Sequence, residues 1–291
     1  MQHPGSAPEE LAYVRGRVLP AAEAVVPFHD RGFFFAEAAY EAYVGRGGRI
    51  FAFDAHQARL RRTLEGIRIP EVDRAVAEVG DAVQALLERF GRGAFLLYVQ
   101  VTGGVAPRRH VLAVDPPPAV YAFIRAHDLD ALEREQARGL KVLSRPDVRW
   151  KFATYKTTQL LPNVLAKKAA RDAGCDEILF VAEDGAVLEG GSTNVFWVEK
   201  GRVFTPPLDR NLLPGVTRRT LLERGGLETT AAAAPLSRVR AADEIFLTGT
   251  SLDAASVTHV DGAPVGDGRP GPTARRAARI LRDLFDAECP A

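Results

Sequence analysis

The segment Arg149-Trp150-Lys151-Phe152-Ala153-Thr154-Tyr155-Lys156-Thr157-Thr158 places Lys156 at the end of a β-prone stretch, just before a segment with helical spacing. The end of a strand is a rigid position for a nucleophile, because side chains on regular elements are held more firmly than those on loops. A lysine taken alone is more often a solvated surface amine, as we expect of Lys167 and Lys168. The role of Lys156 therefore depends on the rest of the chain.

Two further segments carry groups suited to a small charged ligand. In Val187-Leu188-Glu189-Gly190-Gly191-Ser192-Thr193-Asn194-Val195-Phe196 an acid precedes a turn of small residues that leads into an apolar strand. In Leu213-Pro214-Gly215-Val216-Thr217-Arg218 a glycine precedes a helix, whose first N–H groups and Thr217 hydroxyl suit a phosphate. The alternatives are a generic loop carboxylate and an ordinary threonine helix cap.

Two more segments extend this set. Thr248-Gly249-Thr250-Ser251 follows a predicted strand at 244–247 and offers a small-residue loop for an oxyanion, or else a simple strand-ending turn. In His56-Gln57-Ala58-Arg59-Leu60 the spacing of three residues places His56 and Arg59 on one helix face. Such an arginine is usually a salt-bridged surface residue.

Composition limits the partners. The 291 residues include 38 basic and 37 acidic residues, so no field of one sign extends over the molecule to attract nucleic acid or an anionic membrane. Cys175 and Cys289 lie far apart without metal-ligand spacing, which predicts no metal site and favours a reducing compartment. No apolar stretch approaches the roughly 20 residues needed to span a bilayer. We expect a cytoplasmic protein with small-molecule partners.

The length predicts two domains with separate cores. Strand patterns and hairpins dominate the first 53 residues, helical spacing follows over 54–67 and 72–90, and β-prone segments return at 95–101 and 120–124. The stretch 128–138 is charged and poor in large apolar residues, and Gly139 opens a new strand. These patterns predict a small N-terminal α+β domain over 1–127, an interdomain linker over 128–138 and a larger domain over 139–291.

In this order the motifs resemble those of the fold-type IV enzymes that depend on pyridoxal 5'-phosphate (PLP). That group includes branched-chain and D-amino acid aminotransferases, (R)-selective amine transaminases and aminodeoxychorismate lyase. The resemblance runs from about Val26 to Phe285. Besides the segments above, it rests on Asp30-Arg31-Gly32-Phe33 and on Leu160-Leu161-Pro162-Asn163-Val164-Leu165-Ala166.

The resemblance implies a two-domain α/β fold with a smaller N-terminal α/β domain and a larger, β-barrel-like C-terminal domain that binds PLP. Lys156 matches the catalytic lysine that forms the Schiff base with PLP and moves the proton at the substrate Cα. Glu189 matches the acid that faces the pyridine nitrogen. Leu213 matches the residue under the ring, and the phosphate cup is matched by Arg59, Val216, Thr217, Gly249 and Thr250.

The loop Pro107-Arg108-Arg109-His110 resembles that of D-amino acid aminotransferases, in which an arginine and a histidine bind the substrate carboxylate. Tyr40 matches the third member of that set. An arginine fork with two further donors suits a carboxylate, so an α-amino acid fits better than a plain amine. The alternative is a solvated turn after Pro107.

The sequence also departs from that pattern. The segment Phe34-Phe35-Ala36-Glu37-Ala38-Ala39 replaces the segment containing glycine and aspartate that is usual before the tyrosine. Gly103 stands where D-selective members often carry an arginine. Both changes border the predicted pocket and affect the expected substrate range.

We therefore predict a PLP-dependent transaminase that moves the amino group of a D-amino acid such as D-alanine to a 2-oxo acid such as 2-oxoglutarate. The resemblance also implies a homodimer in which the arginine-histidine loop reaches the neighbouring subunit's site. The alternatives are an (R)-amine or branched-chain L-amino acid transaminase, an aminodeoxychorismate lyase, and a non-catalytic PLP-binding protein.

Overall fold

The computed structural model describes residues 10–291, and the chain divides into two compact units. The first comprises the chain up to Asp128 together with Tyr155–Gln159 and Phe285–Ala291. The second comprises Leu129–Thr154 and Leu160–Leu284. Each unit combines helices with a β-sheet, which confirms the predicted mixed α+β class.

Over residues 10–128, the first unit contains six strands of one sheet and three α-helices. Its strands are β1 (Leu11–Val14), β2 (Arg17–Pro20), β3 (Ala38–Arg46), β4 (Arg49–Ile50), β5 (Phe95–Thr102) and β6 (Ala119–Ala126). Its helices are α1 (Arg31–Phe35), α2 (Phe53–Gly66) and α3 (Val72–Phe90), with a short 3₁₀ turn at Ala21–Glu23. The strand order is β2-β1-β6-β5-β3-β4, and all neighbours are antiparallel.

One face of this sheet packs against α2 and α3. Leu60 and Leu64 of α2 join Val79 and Leu86 of α3 in a core with alternate residues of the strands. Successive side chains of a strand point to opposite faces. The face that does not receive the helices carries Tyr40, whose half-buried ring stacks on that of Tyr98.

The second unit contains a mixed sheet of nine strands. Its strands are β7 (Leu140–Pro146), β8 (Glu177–Val181), β9 (Val187–Gly190), β10 (Asn194–Glu199), β11 (Arg202–Thr205), β12 (Thr229–Ala231), β13 (Glu244–Gly249), β14 (Asp253–Val260) and β15 (Ala263–Pro264). The order along the sheet is β12-β11-β10-β13-β14-β7-β8-β9, with β15 on β14. Its helices are α4 (Leu129–Arg138), α5 (Leu161–Asp172), α6 (Val216–Glu223), α7 (Leu236–Arg240) and α8 (Pro272–Glu288), of which α8 continues into the first unit from Phe285.

The segment 128–138, predicted as a linker, is mostly the helix α4. Its single buried side chain is Leu132, which explains why the sequence lacks the apolar periodicity of a core helix. The domain boundaries drawn from the sequence stay a prediction. Within residues 10–291, no helix combines the length and apolar composition that a membrane crossing requires.

Candidate functional site

Lys156 is fixed by its backbone in the first unit. Its N–H donates to the Thr63 hydroxyl of α2 at 3.2 Å, and its carbonyl accepts from the Tyr40 N–H of β3 at 3.0 Å. The Lys156 Nζ lies 4.0 Å from the centre of the Tyr40 ring, a favourable position for an ammonium group. The structure therefore brings together two of the predicted site residues, Lys156 and Tyr40.

Arg59 is buried in a network with Glu41 and His56. Its Nε and Nη2 donate to the two oxygens of Glu41, both at 2.8 Å, in the paired geometry that suits a carboxylate. The Nδ1 of His56 lies 2.8 Å from Glu41 Oε2. Arg59 is thus salt-bridged, as in the alternative reading of this arginine, but it is buried and does not lie on the surface.

The charges in this network are fixed by the surroundings. Burial raises the pKa of Glu41, but the charge and hydrogen bonds of Arg59 outweigh it and hold the pKa well below its ordinary value. Burial lowers the pKa of His56 in spite of Glu41, so the imidazole is neutral near pH 7. Because an ionised carboxylate only accepts, we assign the His56 proton to Nδ1.

Arg108 and His110 lie together around another aromatic residue. The Arg108 guanidinium carbon is 5.4 Å from the centre of the Phe35 ring, and the His110 ring centre is 5.3 Å from it. Of the contacts described for these two residues within 10–291, none is to Tyr40 or Lys156. Arg108 and His110 thus share the Phe35 ring, whereas the Tyr40 ring stacks on Tyr98 and lies against Lys156.

In the second unit, Glu189 is a buried carboxylate at the end of β9. Both of its oxygens accept from the Leu213 N–H at 3.1 Å, and Oε2 accepts from the Asn194 side chain at 3.2 Å. Arg149 Nη1 forms a close ion pair with Oε1. Arg149 is itself held by Asp147, to which its Nε donates at 2.8 Å.

Burial raises the pKa of Glu189 to about 7, although the charge of Arg149 and the Leu213 N–H act in the opposite direction. A carboxyl group poised in this way gains most when a further positive charge or N–H donor arrives. Glu189 is therefore a buried carboxyl group that a cationic or N–H-bearing ligand would stabilise in its charged form.

The start of α6 is shaped by a glycine. A Cβ on Gly215 would fall 2.0 Å from the Asn194 side-chain oxygen, so only glycine fits here. No side chain caps the helix, and Val216 and Thr217 are buried in its first turn. The first N–H groups of a helix without a side-chain cap attract an anion.

The strand β13 adds a hydroxyl near this helix. Thr248 lies opposite Asn194 in the sheet register and is two residues from Phe246, which packs with Leu221 of α6. Its Oγ1 is buried without a hydrogen-bond partner among residues 10–291. A buried hydroxyl without a partner is costly. This hydroxyl, the α6 N–H groups and the loop at Gly249 and Thr250 fit a phosphate group.

Sequence reasoning missed the groups that support the site. Arg149 lies in the segment 149–158 that contains Lys156, and Asn194 lies in the segment 187–196 that contains Glu189, but the sequence predicted no role for either residue. The sequence does indicate a role for Glu41. It lies next to Tyr40 in an apolar strand, so alternation turns its carboxylate toward the helices, where a buried negative charge needs a cation. Nothing in the sequence pairs Arg149 with Glu189, which is 40 residues away.

Known proteins resemble this chain along almost its whole length. The model of the family "Amino-transferase class IV" matches residues 38–260. The D-alanine aminotransferase of Bacillus licheniformis is 32% identical over 94% of this chain and 96% of its own length. That of Staphylococcus haemolyticus is 30% identical over 91% and 94%.

Solved structures share the fold. A hypothetical aminotransferase from Mycobacterium tuberculosis in its PLP-bound form superimposes with a TM-score of 0.82 at 20% identity, covering 95% of this chain and 99% of its own. The branched-chain aminotransferase of the archaeon Thermoproteus uzoniensis with norvaline gives 0.80 at 21% identity, covering 96% and 95%. At these identities the likeness concerns the fold.

Proposed function

The chain belongs to the class IV aminotransferases and uses pyridoxal 5'-phosphate, and on that basis we propose that it transfers the amino group of a D-amino acid such as D-alanine to a 2-oxo acid such as 2-oxoglutarate. The observation that carries the choice of substrate is the pairing of Arg108 and His110 around Phe35. It is supported by relatives that bear the name D-alanine aminotransferase at 30–32% identity.

Each predicted residue has a role in this proposal. PLP supplies an electron-accepting ring that stabilises the negative charge left when a bond at the substrate Cα breaks. Lys156 carries the cofactor, and its Nζ removes and returns the proton at the substrate Cα. Glu189 would face the pyridine nitrogen of the bound cofactor, where its carboxylate would favour a proton on that nitrogen.

The phosphate and the ring are held by other residues. Arg59 supplies a cation for the phosphate, and Val216, Thr217, Gly249 and Thr250 supply N–H and hydroxyl donors. Leu213 would pack under the ring of the bound cofactor. The network around Arg59 contributes rigidity, because its bonds to Glu41 leave the guanidinium a single orientation.

Arg108, His110 and Tyr40 bind the substrate carboxylate. The enzyme acts as a homodimer in which the loop of Arg108 and His110 completes the partner subunit's site, an arrangement compatible with the two-fold symmetry of most homodimers. We place the enzyme in the cytoplasm, because Cys175 and Cys289 are free thiols.

The decisive test of the function uses purified holoenzyme with D-alanine and L-alanine added separately. The expected result is conversion of the cofactor to its pyridoxamine form, followed by absorbance, with the D enantiomer alone. Conversion only by L-amino acids or by simple (R)-amines would assign the chain to one of the alternative transaminase groups.

Two further assays separate the remaining alternatives. An aminodeoxychorismate lyase would release pyruvate from aminodeoxychorismate without an added 2-oxo acid, whereas the proposed transaminase should not. Borohydride treatment followed by peptide mapping should find PLP fixed on Lys156. Label on another lysine would remove the basis for every role assigned above.

A further inference from the structure

The two departures from the D-selective pattern touch each other. The Gly103 N–H donates to the Glu37 carbonyl at 2.9 Å, and a Cβ on Gly103 would fall 2.8 Å from the Glu37 carboxyl carbon. A larger residue at 103 would therefore displace the Glu37 side chain. The unusual acid and the unusual glycine form one structural unit.

Glu37 in turn fixes Arg31. Its carboxylate pairs with Arg31 Nε, while Arg31 Nη1 donates to the Arg109 carbonyl at 2.8 Å and Nη2 donates to the His110 carbonyl at 3.2 Å. Arg31 is buried, so its charge needs this partner. One guanidinium thus connects the atypical acid to the backbone of the arginine-histidine loop.

The Phe35 ring supports the side chains of that loop. The guanidinium carbons of Arg31 and Arg108 lie 5.1 and 5.4 Å from its centre, and the His110 ring lies 5.3 Å away. Arginine on an aromatic face is attracted by the ring and loses rotational freedom. The loop is otherwise exposed and contains no helix or strand from Ala106 to Pro118.

We propose that the Arg31–Glu37 pair, with Gly103 leaving room for it, and the Phe35 ring are positioning residues that hold Arg108 and His110 ready for a substrate carboxylate before it arrives. Holding the loop beforehand removes an ordering cost from binding, so the benefit goes to substrates that have a carboxylate. This selectivity rests on the proposed function, whereas the ordering of the loop does not.

The test compares holoenzyme variants Glu37→Gln, Gly103→Ala and Phe35→Leu with the control Glu23→Gln, which makes the same change at an exposed position. Gly103 has no left-handed backbone angle, so alanine is tolerated there apart from its contact with Glu37. Glu37→Gln and Gly103→Ala should therefore behave alike, although they alter different residues.

The first measurement is limited trypsin digestion with mass spectrometry, which detects cleavage after Arg108 and Arg109. Cleavage after Arg92, in another exposed loop, serves as the internal reference. We expect trypsin to cut the three variants after Arg108 and Arg109 several-fold faster than it cuts wild type. The rate of cleavage after Arg92 should be the same in all proteins, and Glu23→Gln should be cut like wild type at both places. Unchanged cleavage at 108–109, or equal acceleration at Arg92, would overturn the positioning role whatever the substrate.

The second measurement is the half-reaction with D-alanine and with (R)-1-phenylethylamine, which has no carboxylate. The half-saturating D-alanine concentration should rise about tenfold with a nearly constant maximal rate, and the reaction with the amine should not change. Equal effects on both donors would indicate general damage and contradict the proposal. If wild type does not react with D-alanine, the proposed function fails, but the digestion result still decides the positioning.

Discussion

The Nζ of Lys156 lies 4.0 Å from the centre of the Tyr40 ring, and the two backbones are joined because the Tyr40 N–H donates to the Lys156 carbonyl. The lysine predicted to carry PLP and the tyrosine predicted to bind the substrate carboxylate are thus held by one stretch of β3. A displacement of this strand would move both groups together. This shared support makes Lys156 the first residue to test.

Lys156→Arg retains a cation near Tyr40 but removes the amine that carries PLP and moves the proton. We expect turnover to fall by at least about a hundredfold, because a positioned acid–base group contributes that much or more. The measurement is the rate of cofactor conversion with D-alanine, with Lys151→Arg as the matched control. Near-normal turnover by Lys156→Arg would contradict its role.

Glu189 should make the stability of the apoenzyme depend on pH. Burial raises its folded-state pKa from 4.5 to about 7. Between these two pH values the native state keeps a proton that the unfolded chain loses. The free energy of unfolding should then fall as pH rises through this range, by up to about 3 kcal/mol from this group. Urea unfolding at several pH values measures the free energy of unfolding of wild type and of Glu189→Gln. If the two pH profiles are parallel, Glu189 is not the source of the pH dependence.

The same substitution should separate catalysis from binding. Glu189→Gln still accepts a hydrogen bond but no longer favours a protonated pyridine ring. We expect turnover to fall far more than PLP affinity, measured by absorbance kinetics and by cofactor titration. Equal losses in both quantities would assign Glu189 a purely structural role.

Arg149 compensates the charge of Glu189, so Arg149→Met should destabilise the apoenzyme by about 3 kcal/mol at about pH 8. The cost should shrink at lower pH, where Glu189 is protonated. The double variant Arg149→Met with Glu189→Gln should lose less than the sum of the single changes. Urea unfolding of the four proteins tests this coupling, and strict additivity would show that the two groups act independently.

Glu41→Gln leaves the buried Arg59 without its counter-ion. We expect a loss of about 3 kcal/mol near neutral pH and a smaller loss in acid, because the pKa of Glu41 is held low and its contribution disappears as pH falls. If Arg59 binds the cofactor phosphate, inorganic phosphate should stabilise the apo form of this variant more than wild type. Thermal unfolding with and without phosphate measures both effects, and equal phosphate responses would count against Arg59 as a phosphate ligand.

Thr248→Val replaces a buried hydroxyl by a methyl group of similar shape. Because the hydroxyl lacks a partner among residues 10–291, the apoenzyme should be as stable as wild type or more so. PLP should dissociate about tenfold more readily if the hydroxyl bonds the phosphate. Thr193→Val is the control, since its buried Oγ1 lies against Gly190. Equal affinities in the two variants would exclude this contact.

Much of the fold was predictable because it depends on local patterns. Hairpins around glycine turns, the helices over 53–66 and 72–90 and the strands of the first unit follow from residue periodicity and turn chemistry. The helix α4 was missed because it buries one side chain, and α1 because its five residues are too short to show a period. Sequence alone is weak where an element has little buried surface.

The sequence by itself determined the family, the cofactor and the residue types expected to bind it. The reason is that the segments containing Glu189 and Val216-Thr217 are short motifs that occur in a fixed order along the chain. Only the tertiary structure decided which charges lose their water and which partners they meet. Arg149 with Glu189, Arg59 with Glu41, and Arg31 between Glu37 and the loop at 109–110 join distant segments through sheet register and helix packing. Such long-range pairings depend on burial in the folded chain, a property that no local pattern encodes.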